Sequence, residues 1–137
     1  MKTVMFTNQN TAENNPGLDD WAVISITDLD DARIKQGWYA IHRSKFCDVD
    51  MQHEEHEREM LMTPDQATEI VDFVHAVEPH VVGMLVHCKG GVSRSAAVSK
   101  WIAEAFNLKF NHQYSLYNRH VYRQLVNANE RRKLREQ

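Results

Sequence analysis

The stretch VVGMLVHCKGGVSRSAAVSKWIAEAF (residues 81–106) combines an apolar run, a glycine-containing turn and a helical pattern. Residues 81–87 have the length and composition of a central strand that is covered on both faces. Residues 94–106 place apolar side chains at helical spacing, which predicts a helix with one buried side. The order strand, loop, helix predicts an α/β fold around one sheet.

Other segments extend this pattern toward the N-terminus. WAVISIT (residues 21–27) and residues 40–46 predict two further strands. Residues 28–37 predict a short helix that ends at Gly37. The polar, turn-forming residues 7–20 predict a loop.

Two more helices complete the predicted layers. Thr63, Pro64 and Gln66 have the spacing of a capping box, and the helix that they start is predicted to run to about residue 78. A last helix is predicted from Tyr114 to about residue 134. Strands that alternate with helices predict a central, mostly parallel sheet flanked by helices.

Length and charge narrow the class of protein. The chain has 137 residues, 42% of them hydrophobic, which is enough for one core. We therefore predict a single domain over residues 1–137, with residues 1–20 as a polar N-terminal segment. The net charge of −3 does not favour nucleic acid or an anionic membrane as a partner.

The cysteine content and the lack of long apolar runs predict the compartment. Cys47 and Cys88 are the two cysteines of the chain, too few for a disulfide framework. No run approaches the ~18 apolar residues of a membrane helix, and the first residues lack the apolar stretch of a signal peptide. We therefore expect a cytoplasmic protein with reduced thiols.

The loop HCKGGVSRS (residues 87–95) has the features of an anion site. Five residues separate Cys88 from Arg94, which allows the loop to wrap around one tetrahedral anion. Gly90 and Gly91 let the backbone turn and direct its N–H groups inward. The positive end of the following helix adds to this attraction.

Side chains of the loop add chemistry to that anion site. A thiol at Cys88 would face amides and a helix N-terminus, which favour the nucleophilic thiolate. Arg94 offers a planar fork for two phosphate oxygens. Ser93 or Ser95 can hydrogen-bond the sulfur, and His87 is predicted to hold the loop rather than to exchange protons.

HCKGGVSRS resembles the signature loop of the cysteine-dependent protein tyrosine phosphatase superfamily: His-Cys, five residues, Arg, Ser or Thr. The helix AAVSKWIAEAF is similar to that of the compact dual-specificity-like branch. ISIT, FCDVD, TPDQATEIVDFV and YNRHVYRQL resemble, in this order, elements of small bacterial and phage-type members. The resemblance covers most of the chain from about Trp21.

This resemblance implies roles for individual residues. Cys88 would be the nucleophile, Arg94 the phosphate binder and Ser95 the hydroxyl that assists the second step. The cradle for the phosphate would be formed by Lys89, Gly90, Gly91, Val92, Ser93 and Arg94.

The family also uses an aspartic acid from an upstream loop as general acid. FCDVD (residues 46–50) offers two candidates, Asp48 and Asp50, and we favour Asp48 because it directly follows a predicted strand. One of the two then serves only as a loop carboxylate. Asn118 is at the place where similar proteins have an asparagine that braces the loop; the alternative is an ordinary surface position on a helix.

The resemblance implies a phosphatase that needs no cofactor and acts on phosphorylated proteins or peptides, with phosphate or sulfate as the anion in its loop. The absence of long insertions favours a shallow site for phosphotyrosine that also admits phosphoserine or phosphothreonine. Three alternatives remain: a silent phospho-ligand-binding module, a sulfur transferase, and a phosphatase for phosphoinositides. Lys89 favours the phosphoinositide reading, and Val92 argues against it, because the lipid-phosphatase subgroup has a second lysine there.

Two further motifs have competing interpretations. A disulfide between Cys47 and Cys88 would protect the nucleophile from over-oxidation, whereas the alternative for Cys47 is a small buried hydrophobe. HEEH (residues 53–56) does not have the H-E-x-x-H spacing of zinc proteases. We interpret it as part of a polar loop and predict no metal site.

Overall fold

A computed structural model describes residues 1–49 and 61–136 of the protein. Asp50 and the HEEH motif lie outside the described residues. The strands are β1 (Thr3–Asn8), β2 (Trp21–Thr27), β3 (Ala40–Lys45) and β4 (Gly83–Cys88). The helices are α1 (Gln9–Asn14), α2 (Pro64–Val77), α3 (Arg94–Phe106) and α4 (Arg119–Arg135), with a 3-10 turn at Glu78–His80.

The four strands form one parallel sheet in the order β1-β4-β2-β3. All residues of β4 are buried, because it lies between β1 and β2 and is covered on both faces. This confirms the predicted α/β class and the central position of the strand that leads into HCKGGVSRS. The carboxyl ends of neighbouring strands lie side by side, since Asn8 pairs with Cys88 and Ser25 with His87.

The two faces of the sheet are covered unequally. On one face, α2, α3 and α4 enclose the main core, to which β2 contributes Ile24 and Ile26 and β4 contributes Met84 and Val86. The alternate residues of the same strands point to the other face, as the two-residue period of a strand requires. That second face is covered by a smaller cluster around Ala12 of α1.

The loop predicted for residues 7–20 is wrong in its first half. The strand β1 extends to Asn8, and α1 follows directly. The side chain of Asn8 accepts a hydrogen bond from the Thr11 amide at 2.7 Å, so it caps α1. The N-terminal segment is therefore part of the sheet, and its polar residues form a capped helix rather than a loop.

The helix predicted for residues 28–37 is also wrong, because this segment has no regular structure. Its polar groups are used in contacts with distant elements. The Arg33 amide donates to the Glu13 carboxylate at 2.8 Å, and Asp31 pairs with Lys45 at 3.1 Å. Gly37 has a φ of 104°, a conformation that suits glycine at the end of the segment.

The predicted helix boundaries are close to those observed, with one exception. Thr63 and Gln66 form the expected capping box at the start of α2. The last helix begins at Arg119 rather than at Tyr114, because Asn118 is its N-cap and accepts from the Val121 amide at 3.0 Å. None of the helices in the described part of the chain is long and apolar enough to span a bilayer.

Candidate active site

The loop that follows β4 turns sharply at one glycine. Gly91 has a φ of 68°, and a Cβ added there would lie 2.5 Å from the Asn8 nitrogen. Gly90, in contrast, has open space around its Cα. The conformation of the turn therefore requires a glycine at position 91. At position 90 the space around the backbone would also admit a larger side chain.

Cys88 is a buried thiol, only 2% exposed, at the base of this loop. Its sulfur lies 3.1 Å from Ser95 Oγ. Burial by itself would raise the pKa of the thiol, but hydrogen bonds from the Ser95 hydroxyl and the Ser95 and Gly91 amides, together with the Arg94 charge, lower it overall. The loop thus stabilises the thiolate form of Cys88 in a buried place.

The two serines of the loop have different partners. Ser95 contacts the Cys88 sulfur, whereas the Ser93 hydroxyl donates to Asp48 Oδ1 at 2.8 Å. Ser93 is the N-cap residue of α3, but its side chain makes no capping bond to the helix. The first amides of α3 are therefore not capped by this hydroxyl, which suits a helix end that faces an anion.

Arg94 is a buried cation, 4% exposed, that is held from two sides. Its Nη1 donates to Asp28 Oδ1 at 2.5 Å and to the Phe46 carbonyl at 2.7 Å. Its Nε is buried and finds no acceptor among the described residues. One side of the guanidinium is thus fixed by the protein, and a buried donor is left for another acceptor.

His87 supports the loop from within the sheet. Its Nε2 lies 2.6 Å from the hydroxyl oxygen of Ser25, its register partner on β2. Burial lowers the pKa of the imidazole, so His87 is neutral at physiological pH. The holding role of His87 stays a prediction.

Asp48 lies directly against the loop. Its Oδ1 accepts hydrogen bonds from Ser93 Oγ at 2.8 Å and from Asn118 Nδ2 at 2.9 Å. Asn118 is itself buried, and its backbone N–H donates to the Ser93 carbonyl at 3.0 Å. Asn118 thus connects the Asp48 segment, the loop and the start of α4, while the other candidate acid, Asp50, lies outside the described residues.

Two residues at this site were missed by the sequence reasoning. The first is Asp28, the partner of Arg94, which directly follows β2. Its position at the carboxyl end of a strand beside β4 is the sequence feature that could have indicated it. The hydroxyl of Tyr114 donates to the Val92 carbonyl at 2.5 Å. No sequence signal points to that contact, because the two residues lie on segments that meet only in the fold.

Cys47 borders the same site. It and Cys88 are both thiols, with no disulfide between them. Burial and the charge of Asp28 raise the pKa of Cys47, and the charge of Arg94 partly offsets this. The redox role of Cys47 stays a prediction.

In the described ranges, no group of three His, Cys, Asp or Glu side chains is placed to hold a metal ion.

The fold resembles that of a solved phosphatase structure. A crystal structure of a human DUSP28 variant, a dual-specificity phosphatase, superposes with a TM-score of 0.57 over 96% of this chain and 92% of that one. The two sequences are 18% identical, so the likeness shows a fold of the dual-specificity phosphatase type. No protein-family model and no curated protein matches the chain. Membership of a bacterial or phage-type branch stays a prediction.

The two loop glycines provide a matched pair for a stability test. Gly91→Ala should reduce the free energy of unfolding by about 1–3 kcal/mol, because the new Cβ meets the backbone of Asn8 at 2.5 Å. Gly90→Ala should change it by less than about 0.5 kcal/mol. Urea unfolding followed by tryptophan fluorescence measures both. Equal losses would contradict this account of the turn.

The Arg94–Asp28 ion pair can be tested in the same way. Asp28→Asn should reduce the free energy of unfolding by about 1 kcal/mol, a modest loss because Asp28 is partly exposed. Added inorganic phosphate should recover more stability in this variant than in the wild type, since it supplies a counter-charge. Asp30→Asn is the control, because Asp30 forms no salt bridge with the described residues and should behave as wild type.

Proposed function

We propose that the chain is a phosphatase, one domain over residues 1–137, that hydrolyses phosphotyrosine through a cysteinyl-phosphate intermediate. One observation carries this proposal. A buried thiol of lowered pKa and a buried Arg94 Nε–H that finds no acceptor in residues 1–49 and 61–136 belong to one short loop at a helix N-terminus. A phosphate group bound in the loop would supply that acceptor and would also present its phosphorus to the thiolate.

The first chemical step transfers the phosphoryl group to sulfur. The Cys88 thiolate attacks phosphorus, a sulfur–phosphorus bond forms, and the bond to the leaving oxygen breaks. Protonated Asp48 donates its proton to that oxygen, which leaves as a phenol or an alcohol. Arg94 and the loop amides bind the three equatorial oxygens, whose charge is spread in the transition state.

The second step releases phosphate. A water molecule attacks phosphorus, the sulfur–phosphorus bond breaks, and Cys88 leaves as a thiolate. The Asp48 carboxylate takes the proton of the water, so it returns to the acid form for the next turnover. The Ser95 hydroxyl, 3.1 Å from the sulfur, stabilises the leaving thiolate with a hydrogen bond.

Phosphorylated proteins or peptides are the proposed substrates, with phosphotyrosine preferred and phosphoserine and phosphothreonine accepted. Val92 on the rim of the loop is 46% exposed, and the neighbouring Lys89 is also exposed. An open rim of this kind supports a site that accepts phosphorylated side chains of different lengths.

Hydrolysis of an aryl phosphate tests the proposed mechanism. Cys88→Ser should lower kcat by more than about 10³-fold, because the covalent route is lost. Arg94→Lys should lower it by roughly 10²-fold, since a lysine cannot bind two oxygens in one plane. Cys47→Ser is the matched thiol control and should stay active. Mass spectrometry of acid-quenched wild type should show a phosphoryl adduct on Cys88.

Turnover by Cys88→Ser equal to wild type would contradict the mechanism. Binding of inorganic phosphate by a wild-type protein that lacks all turnover would instead indicate a silent binding module.

The general acid is tested by varying the leaving group. Asp48→Asn should lower kcat by about 10²-fold for alkyl phosphates, whose leaving oxygens need a proton, and much less for nitrophenyl phosphate. Asp50→Asn should show no such dependence on the leaving group. The opposite ranking of the two variants would show that Asp50 is the acid.

A further inference from the structure

The outer edge of β1 borders two adjoining parts of a groove. One part, of about 460 Å³, is lined by Lys2, Thr3 and Val4 together with residues 107–109. A second part, of about 360 Å³, continues along Val4, Met5 and Phe6 and is closed by Phe110 and Tyr114. The two parts adjoin at Val4 and Lys109, which line both, and we call them together the β1 groove.

The β1 groove follows the backbone of the strand rather than one of its faces. Successive side chains of a strand point to opposite faces, so a groove that touches every residue from 2 to 6 must run along the strand edge. β1 is an edge strand, and among the described strands it pairs with β4 alone. Its outer backbone groups can therefore pair with an added strand.

Two lysines of the β1 groove have no salt-bridge partner among the residues that the structure describes. Lys2 and Lys109 are exposed and line it. Neither forms a salt bridge with residues 1–49 or 61–136. Met5 is 53% exposed, which leaves an apolar contact beside these cations. The groove therefore complements an extended segment that carries acidic and apolar side chains.

The β1 groove leads to the candidate active site. Tyr114 lines its end and donates a hydrogen bond to Val92 in the phosphate loop. The negative charge of Cys88 contributes to the raised pKa of Tyr114, after burial, which shows how near the groove end is to the thiolate. Asn8, at the end of β1, pairs with Cys88. A bound peptide that extends from the loop past Tyr114 would therefore enter the β1 groove directly.

We propose that the β1 groove binds the extended segment of a phosphorylated protein that flanks the phosphorylated residue, added to β1 as a fifth strand. This inference rests on the proposed function, because the phosphorylated residue itself would lie in the loop. Val4, beside Lys109, precedes Asn8 by four residues along β1. The preferred substrate therefore carries acidic side chains about four residues from its phosphotyrosine.

Two series of phosphotyrosine peptides test this preference. In the first series, three glutamates are centred four residues before the phosphotyrosine. In the second series, they are centred four residues after it. Each glutamate peptide has a matched glutamine peptide. Glutamate should raise kcat/KM by about three- to tenfold in one series, mainly through KM. The series that responds defines the direction of the bound chain.

Charge reversal on the protein supplies the matched control. Lys109→Glu should abolish or invert the preference for glutamate, and its activity toward an aryl phosphate should stay at the wild-type level. Lys133→Glu changes the same charge on α4, where Lys133 pairs with Glu130, and should keep the preference. Saturation with the glutamate peptide should also slow amide hydrogen exchange in Thr3–Asn8.

Equal kcat/KM for glutamate and glutamine peptides in both series would overturn the inference. Equal behaviour of the two lysine variants, or unchanged exchange in β1, would also overturn it. A dimer that Lys109→Glu dissociates would assign the groove to a second copy of the chain and would overturn it too. If no phosphate ester is hydrolysed, the proposed function fails separately, and fluorescence anisotropy of the same peptides still decides the groove.

Discussion

The ion pair between Arg94 and Asp28 is the contact on which the candidate site depends. Asp28 follows β2, Phe46 follows β3, and Arg94 begins α3, so one buried guanidinium joins three elements at the carboxyl edge of the sheet. A buried charge is costly unless it is paired and hydrogen-bonded. The position of the loop is therefore tied to the packing of the strands, and the same contacts fix one side of the Arg94 guanidinium.

The remaining contacts of the site divide between the inside and the outside of the loop. Inside, Ser95 and two amides surround the Cys88 sulfur and outweigh the effect of burial on its pKa. Outside, Ser93 and Asn118 hold Asp48 against the rim. The chain thus uses two serines, two positions apart, for opposite sides of one loop. This explains how a loop of this length can position both a thiol and a carboxylate.

Local signals predicted the parts of the fold that depend on local chemistry. The apolar run of β4, the helical spacing of α3 and the Thr63 capping box each lie within one continuous segment. The strand β1 was missed because it is a half-exposed edge strand that gains its stability from β4. Asp28 was missed for a related reason. Its role depends on which strands are neighbours, and strand order is a property of the whole sheet.

Among the described residues, Asp28 and Asp48 are carboxylates that hydrogen-bond residues of the loop, and their partners differ in charge. Asp28 faces the guanidinium of Arg94, a permanent cation, and forms an ion pair with this buried charge. Asp48 accepts from a hydroxyl and an amide, which are neutral donors. Charge is thus treated differently at the two positions: Asp28 is the counter-ion of Arg94, whereas Asp48 is held in place by hydrogen bonds without an ion pair among the described residues. The two carboxylates are therefore separated by their partners, and the contacts of Asp48 leave it outside the charge balance of the buried guanidinium.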